Sequence, residues 1–206
     1  MPGVSPFKDD IAGRPVKGST VPVHGDVLRW NGTNTPAVWE AGALAYNRAT
    51  SLVQVLNTVI QTQVYSATVA ANDMQTNRTI ILELYGDYQN NTGAGRTLNI
   101  TAVFGSNTLM NATSGNITAN ASYRPFLFRL VLMNRGATNS QWCTISALLG
   151  IPAGGAYDGS ATEHWRWEQT DLGTIDTTAA QSLNVSVTHS NNDTDFRLYA
   201  GLAVLL

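Results

Sequence analysis

Apolar and polar residues alternate with a period of two along much of the chain from residue 62 onward. The alternation is clearest in four stretches, residues 62–69, 79–85, 97–104 and 183–188. Because successive side chains of a strand point to opposite faces, each stretch predicts a strand with one wet face and one dry face.

Two further segments, residues 126–133 and 143–149, are apolar on nearly both faces. This pattern predicts strands that are buried on two sides or packed against a neighbouring subunit. The last segment is apolar to its final residue. Alternation there predicts a strand with one apolar side, which a second sheet or copies of the chain must shield. This side would consist of Phe196, Leu198, Ala200, Leu202 and Val204.

Turn-forming residues separate these segments, since the links are rich in Asn, Gly and Pro. Residues 41–60 also fit a helical face, but β-branched residues dominate their second half and favour a strand from about Ser51. About eight to ten short strands with regular turns predict an all-β fold, an antiparallel jelly-roll sandwich over residues 51–206.

The first fifty residues differ from the rest of the chain because they hold five of its seven prolines. Proline and the interspersed glycines disfavour long helices and central strands, so residues 1–50 are predicted to form an extended N-terminal arm. Within this arm, Asn31-Gly32 lies between two segments that carry Trp30 and Trp39. An Asn-Gly pair between such segments predicts a small hairpin.

Charged residues make up 13% of the chain and the net charge is −2, against a usual charged share of ~25%. Without clustered Lys or Arg, nucleic acid is not expected as a partner.

The N-terminus lacks the basic and apolar regions of a signal peptide, and no apolar run is long enough to span a membrane. We therefore expect synthesis in a host cytoplasm and no membrane partner.

Candidate catalytic groups are few. No two of the three histidines have the spacing of metal ligands, and Cys143 lies in a strand pattern that favours a buried thiol. We predict no metal site, no cofactor and no catalytic residues. A carbohydrate-active enzyme that uses a pair of carboxylates remains the least favoured alternative, because sequence cannot place two carboxylates opposite each other.

Trp165 and Trp167 are the best candidate glycan contacts. In a strand they project from the same face, while Arg166 and Glu168 project from the other. Exposed, the two rings would stack on a sugar. Burial in the core or at a subunit contact is the favoured alternative.

Asn-x-Ser/Thr triplets occur nine times. In a secreted eukaryotic protein they would be glycosylation acceptors. Since no signal peptide is visible and two of the triplets lie in strand patterns, an Asn- and Thr-rich composition explains them more simply. The triplets begin at Asn31, Asn77, Asn90, Asn99, Asn111, Asn116, Asn120, Asn184 and Asn192.

Two stretches resemble bacteriophage virion proteins. Gly25-Asp-Val-Leu-Arg-Trp-Asn-Gly-Thr, continued by Trp39, resembles the short "G-D-V-L-x-W-[ND]-G-T-x-W" segments of tail and fibre proteins. Residues 57–78, 84–95 and 98–109 are similar to the opening strands of a virion domain with a tumour-necrosis-factor-like jelly roll. The resemblance implies a homotrimer that decorates heads or tips fibres.

The leading hypothesis is a non-enzymatic structural protein of a bacteriophage virion, most simply a capsid decoration or cement protein. Its partners would be its own copies and the major capsid protein or another virion component. The alternative is a tail-fibre or receptor-binding tip that recognises a host surface glycan. The arm would dock on the particle through Pro6, Phe7, Val27, Leu28, Trp30 and Trp39, and the trimer interface would contain Phe126, Phe128, Leu130, Leu202, Val204 and Leu206.

Overall fold

The computed structural model describes residues 26–29, 38–41, 47–151 and 165–206. These residues form thirteen strands and no helix. The strands are β1 (Asp26–Arg29), β2 (Val38–Ala41), β3 (Asn47–Ala49), β4 (Val53–Leu56), β5 (Thr62–Val69), β6 (Thr79–Asn90), β7 (Leu98–Phe104), β8 (Asn107–Thr113), β9 (Asn120–Asn134), β10 (Gln141–Leu149), β11 (Trp165–Gly173), β12 (Gln181–His189) and β13 (Thr194–Leu205).

The chain divides into two compact units, residues 1–44 and 45–206. In the first unit β1 and β2 pair antiparallel, with Asp26 opposite Ala41 and Arg29 opposite Val38. The two segments predicted to form a hairpin therefore do pair. The Asn31-Gly32 turn itself lies outside the described residues.

The second unit consists of two antiparallel sheets. The larger sheet has the order β11-β10-β9-β6-β13-β3, with β4 pairing an earlier part of β13, and the smaller sheet has the order β5-β12-β7-β8. Neighbours such as β6 and β13 are distant in sequence, as in the Greek-key connections of a jelly roll. The predicted all-β fold is confirmed in this coarse form.

Strand β3 belongs to the larger sheet, because Asn47 pairs with Ala203 and Ala49 with Gly201. Residues 47–49 had been predicted as part of the arm, so the sandwich begins a few residues earlier. The strand predicted from about Ser51 is β4, which starts at Val53.

The core lies between the inner faces of the two sheets, where the alternating residues are buried as predicted. The rings of Tyr88 on β6 and His189 on β12 meet edge to face across it, with centroids 5.8 Å apart. Close packing also depends on Gly201, since a β-carbon there would come within 3.1 Å of the Tyr65 ring on β5.

The sequence predicted one continuous apolar side for the final strand, and this prediction is wrong. A β-bulge between Leu198 and Ala200 shifts the register with β6 and reverses the alternation. Phe196 and Leu198 face the core before the bulge, whereas Leu202 and Val204 lie on the outer face after it. The extra residue exchanges the two faces because side chains alternate with a period of two.

The trimer-interface prediction needs correction on β9. Phe126, Phe128 and Leu130 are buried within a single chain, so they present no surface to a neighbouring subunit. The outward positions of this strand are instead Leu127, Arg129 and Val131.

Candidate assembly surface

The outer face of the larger sheet, here called the assembly face, carries most of the exposed large apolar side chains. Among the described residues nine such side chains are exposed, and none of them belongs to the smaller sheet's outer face. Five lie on the assembly face itself, namely Tyr85, Leu127, Leu148, Tyr199 and Leu206. The other four, Leu52, Leu56, Val59 and Ile60, lie on β4 and next to it.

One apolar row crosses the centre of the assembly face. Tyr85 on β6 is directly opposite Leu127 on β9, and Leu127 is opposite Leu148 on β10. Their exposed fractions are 46%, 37% and 41%. Directly opposed side chains lie within about 5.5 Å of one another at the β-carbon, so the three form a continuous apolar strip.

A second apolar group occupies the other end of the same face. Val204 is opposite Ile81, which is opposite Val131. Met133 and Trp142, also cross-strand neighbours, lie one row further, and all five are partly exposed. The predicted interface residues Leu202, Val204 and Leu206 lie on this side of the sheet, and their part in a trimer stays a prediction.

The ion pair of Glu83 with Arg129 lies between the two apolar groups, and a second ion pair lies on β11 beside Leu148. Arg129 lies 3.4 Å from Glu83 on the neighbouring strand, and Arg166 lies 2.5 Å from Glu168 on β11. In each of these two pairs the acid has a base beside it, so the pairs carry no net charge. The hydrogen bond from the Tyr85 hydroxyl to Glu83, 2.7 Å long, raises the pKa of that tyrosine.

Two open depressions lie side by side on β9, β10 and β11. The larger, of about 410 Å³, is lined by Thr144, Ile145, Ser146, Glu168 and Thr170. The smaller, of about 210 Å³, is lined by Leu127, Ser146, Ala147, Leu148 and Arg166. Ser146, a small residue on β10, lines both depressions.

A compact polar cluster borders the apolar row on β6, β9 and β13. Arg197 makes a two-pronged hydrogen bond to Asp87 and stacks on the Tyr123 ring, 3.3 Å from its centroid. The Tyr199 hydroxyl also donates to Asp87, at 2.8 Å, and the Tyr123 hydroxyl donates to Asp195, at 2.7 Å.

The pKa values in this cluster follow from these contacts. The hydrogen bond to Asp87 raises the pKa of Arg197, and the one to Asp195 raises the pKa of Tyr123. Burial, followed by the hydrogen bond to Asp87, raises the pKa of Tyr199. All three changes favour the charged Arg197 and the neutral tyrosines, the forms that make these hydrogen bonds, and the bonds to Asp87 brace β13 against β6 at the edge of the assembly face.

Strand β4 is tied to the same cluster. Gln54 donates from Nε2 to both carboxylate oxygens of Asp195, at 3.1 and 3.0 Å. The exposed Leu56 belongs to this edge strand, and the exposed Leu52 directly precedes it. The cluster therefore holds an apolar sheet edge in a fixed position.

The sequence did not single out Arg197 or its partners. A signal was present, because Arg197 is the one charged residue between the apolar Phe196 and Leu198, and such a position usually points outward in a strand. Its partner Asp87 is 110 positions away in sequence, and no local pattern links the two.

The two candidate glycan contacts, Trp165 and Trp167, lie on the core side of β11. Trp167 is only 9% exposed and has no open ring face for a sugar, so its predicted glycan contact is corrected. Trp165 is half-buried, and a β-carbon on Gly115 would overlap its ring. The two rings are 6.5 Å apart at an angle of 32°, and the favoured alternative of burial describes them better.

The predicted docking residues of the arm are not tested. Pro6, Phe7 and Trp30 lie outside the described residues. Val27 and Leu28 belong to β1 and Trp39 to β2, but only their backbone is described. Docking through this segment stays a prediction.

The described residues contain no group of three or more His, Cys, Asp or Glu side chains placed to hold a metal ion. Cys143 is buried, as predicted. In the same part of the chain, no helix has the length and apolar character needed to cross a membrane.

No family model and no curated protein matches the sequence. Among solved structures, the chain is similar to the VP2 protein of infectious bursal disease virus in its subviral particle, at 11% identity and a TM-score of 0.36, over 88% of this chain and 37% of that chain. It is also similar to lectin I from Ulex europaeus, at 9% identity and a TM-score of 0.33, over 76% and 92% of the two chains.

A third similarity is to the alginate lyase from Klebsiella pneumoniae, at 11% identity and a TM-score of 0.26, over 62% of this chain and 59% of that chain. The chain spans well under half the length of the VP2 chain. Because these similarities are low, the function of the chain is inferred from its own surfaces.

Proposed function

We propose that this chain is a non-enzymatic structural protein of a bacteriophage virion. It forms a homotrimer of tumour-necrosis-factor-like jelly rolls, and its N-terminal arm anchors it to the particle as a capsid decoration or cement protein. The observation that carries the proposal is the exposed apolar row of Tyr85, Leu127 and Leu148 on the assembly face. Apolar patches of this kind mark interaction surfaces.

Self-association is supported by the composition of the assembly face. Its apolar rows lie beside the balanced pairs Glu83 with Arg129 and Glu168 with Arg166. These two pairs bring two acids and two bases, so they add no net charge to the contact. An apolar centre with a polar border is also the usual anatomy of a subunit interface.

The proposed mechanism is mechanical. Three arms that dock across neighbouring capsid subunits would bind with an effective concentration set by the trimer, and their combined avidity would exceed that of one arm. The trimer would then hold the lattice together against internal pressure. The pairing of β1 with β2 supports a structured element within this arm.

Light scattering tests the assembly step. The purified chain should have the mass of three copies, and the double change Leu127→Lys with Leu148→Lys should release single folded chains. The matched control, Thr101→Lys with Ser186→Lys, places two lysines on central strands of the smaller sheet and should leave the trimer intact. A wild-type chain that stays monomeric at micromolar concentration would contradict the proposal.

Particle composition tests the cement role. The chain should co-purify with heads at a copy number set by the lattice, and heads without it should break at a lower temperature. Deleting residues 1–40 should leave a soluble trimer that no longer attaches. A few copies per particle, together with binding of the isolated protein to host cells, would favour a receptor-binding tip instead.

A further inference from the structure

The outer face of the smaller sheet, here called the neutral face, differs sharply in chemistry from the assembly face. It presents thirteen outward positions, of which twelve carry hydroxyl or amide side chains and none is charged. A solvent-facing surface is usually about 25–35% charged. The positions are Gln63, Ser66, Thr68, Asn99, Thr101, Val103, Thr108, Asn111, Thr113, Ser182, Asn184, Ser186 and Thr188.

Several Asn-x-Ser/Thr triplets are explained by this face. The triplets that begin at Asn99, Asn111 and Asn184 lie in β7, β8 and β12. Because positions i and i+2 of a strand share a face, both polar residues of each triplet point outward. The triplets therefore reflect a continuous polar surface, built from three of the sheet's four strands.

Hydrogen bonds across the strands hold this surface in order. Asn99 donates to Asn111 at 2.8 Å and to Thr113 at 2.9 Å, and Thr101 donates to Asn99 at 3.1 Å. On the same face, between β5 and β12, Ser66 donates to Asn184 at 2.8 Å. A partner would meet groups that are already oriented, which lowers the entropic cost of binding.

The absence of charge and of aromatic residues on the neutral face argues against most classes of partner. Nucleic acids need clustered Lys or Arg, and anionic membrane surfaces attract basic residues. Protein interfaces are enriched in aromatic residues, Met and Arg and depleted in Ser. A neutral polysaccharide is complementary instead, because its hydroxyl groups both donate and accept hydrogen bonds, as do the Ser, Thr and Asn side chains here.

We propose that the neutral face binds an uncharged polysaccharide. The site spans β12 and β7 at its centre, where Ser186 lies directly opposite Thr101 and Thr101 is opposite Asn111. Successive strands repeat at about 4.8 Å, so an extended glycan that crosses the strands meets a polar side chain on each. This inference does not depend on trimer formation or on attachment to a particle.

Affinity electrophoresis of the full chain tests the proposal. Native gels contain hydroxyethylcellulose, galactomannan or dextran as neutral probes, or alginate as a charged one, and mobility is compared with a gel without polysaccharide. The wild-type chain should be retarded by at least one neutral probe and not by alginate. The double change Thr101→Asp with Ser186→Asp should weaken retardation at least fivefold.

Two further variants keep the result unambiguous. Thr101→Val with Ser186→Ala removes the hydroxyl groups without adding charge and should also weaken retardation. Thr174→Asp, at an exposed loop position outside the four strands of the smaller sheet, should leave it unchanged. The proposal is overturned if no neutral probe retards the wild-type chain, if alginate alone does, or if the neutral-face variants are retarded as strongly as the wild type.

Discussion

The guanidinium of Arg197 donates two parallel hydrogen bonds to the carboxylate of Asp87, from Nε to Oδ1 at 2.8 Å and from Nη2 to Oδ2 at 2.8 Å. This pair joins β13 to β6 at the border of the assembly face. Two-pronged pairs of this kind are both stronger and more directional than single hydrogen bonds.

Asp87→Asn should therefore lower the free energy of unfolding by ~1–3 kcal/mol, since the half-buried guanidinium loses its charged acceptor. Urea unfolding followed by circular dichroism measures the change. Glu83→Gln is the matched control, because its pair with Arg129 is longer, at 3.4 Å, and more exposed. Its cost should stay below ~1 kcal/mol. Equal costs for the two changes would refute the bracing role of Asp87.

His189 should make stability depend on pH. The side chain is 2% exposed, and burial lowers its pKa from 6.5 to about 4, against an opposing effect of Asp195. Between pH 6.5 and 4, His189 is therefore protonated in the unfolded chain and neutral in the folded chain. The stability is fully present above pH 6.5, falls as the pH drops toward 4, and levels off below.

The difference between the two pKa values corresponds to a loss of roughly 3 kcal/mol over this range. Other groups also titrate there, so the informative measurement compares wild type with His189→Gln in urea at several pH values. The variant should show a shallower loss between pH 6.5 and 4. Parallel curves for the two proteins would mean that His189 does not carry this dependence.

Alanine substitutions at two adjacent positions of β9 should affect different properties, one the stability of the fold and the other the association of chains. Phe128→Ala opens a cavity in the core and should cost ~3–5 kcal/mol of unfolding free energy. Leu127→Ala removes an outward side chain, so it should cost far less in the folded monomer and weaken association instead. Chemical unfolding and light scattering separate the two effects. Similar unfolding costs would contradict the assignment of the faces.

Gly86 should tolerate no side chain. A β-carbon there would overlap the backbone carbonyl oxygen of Arg197, next to the bulge in β13. Gly86→Ala should therefore cost ~1–3 kcal/mol through overpacking. Gly93→Asn is a suitable control, since Gly93 has φ +74° with open space around it, and Asn adopts that conformation readily. A thermal melt of both variants distinguishes them.

Sequence alone predicted the strands and their buried faces wherever the alternation was regular, as at Ile80, Leu82 and Leu84. It failed where the alternation was interrupted. The bulge between Leu198 and Ala200 has no local signature in the sequence, and it moved Leu202 and Val204 to the outer face. On β9 both faces are apolar, so the pattern could not tell Leu127 from Phe128.

The candidate surfaces were predictable only in part. Apolar residues on two-faced strands predicted an interface, but the residues named for it on β9, Phe126, Phe128 and Leu130, are buried in the core. The pair of Asp87 and Arg197 arises from strands that meet only in the folded sheet. The neutral face was visible as an Asn- and Thr-rich composition, yet its continuity appears only once β5, β12, β7 and β8 lie side by side.

The chemical contrast between the two outer faces has a consequence for how far assembly proceeds. In the proposed trimer only the assembly face would contact other copies of the chain, so association would end once that face is covered. The other side offers no apolar contact from which a further layer would grow. Under that proposal the domain would form a closed oligomer of fixed size and not an open-ended aggregate.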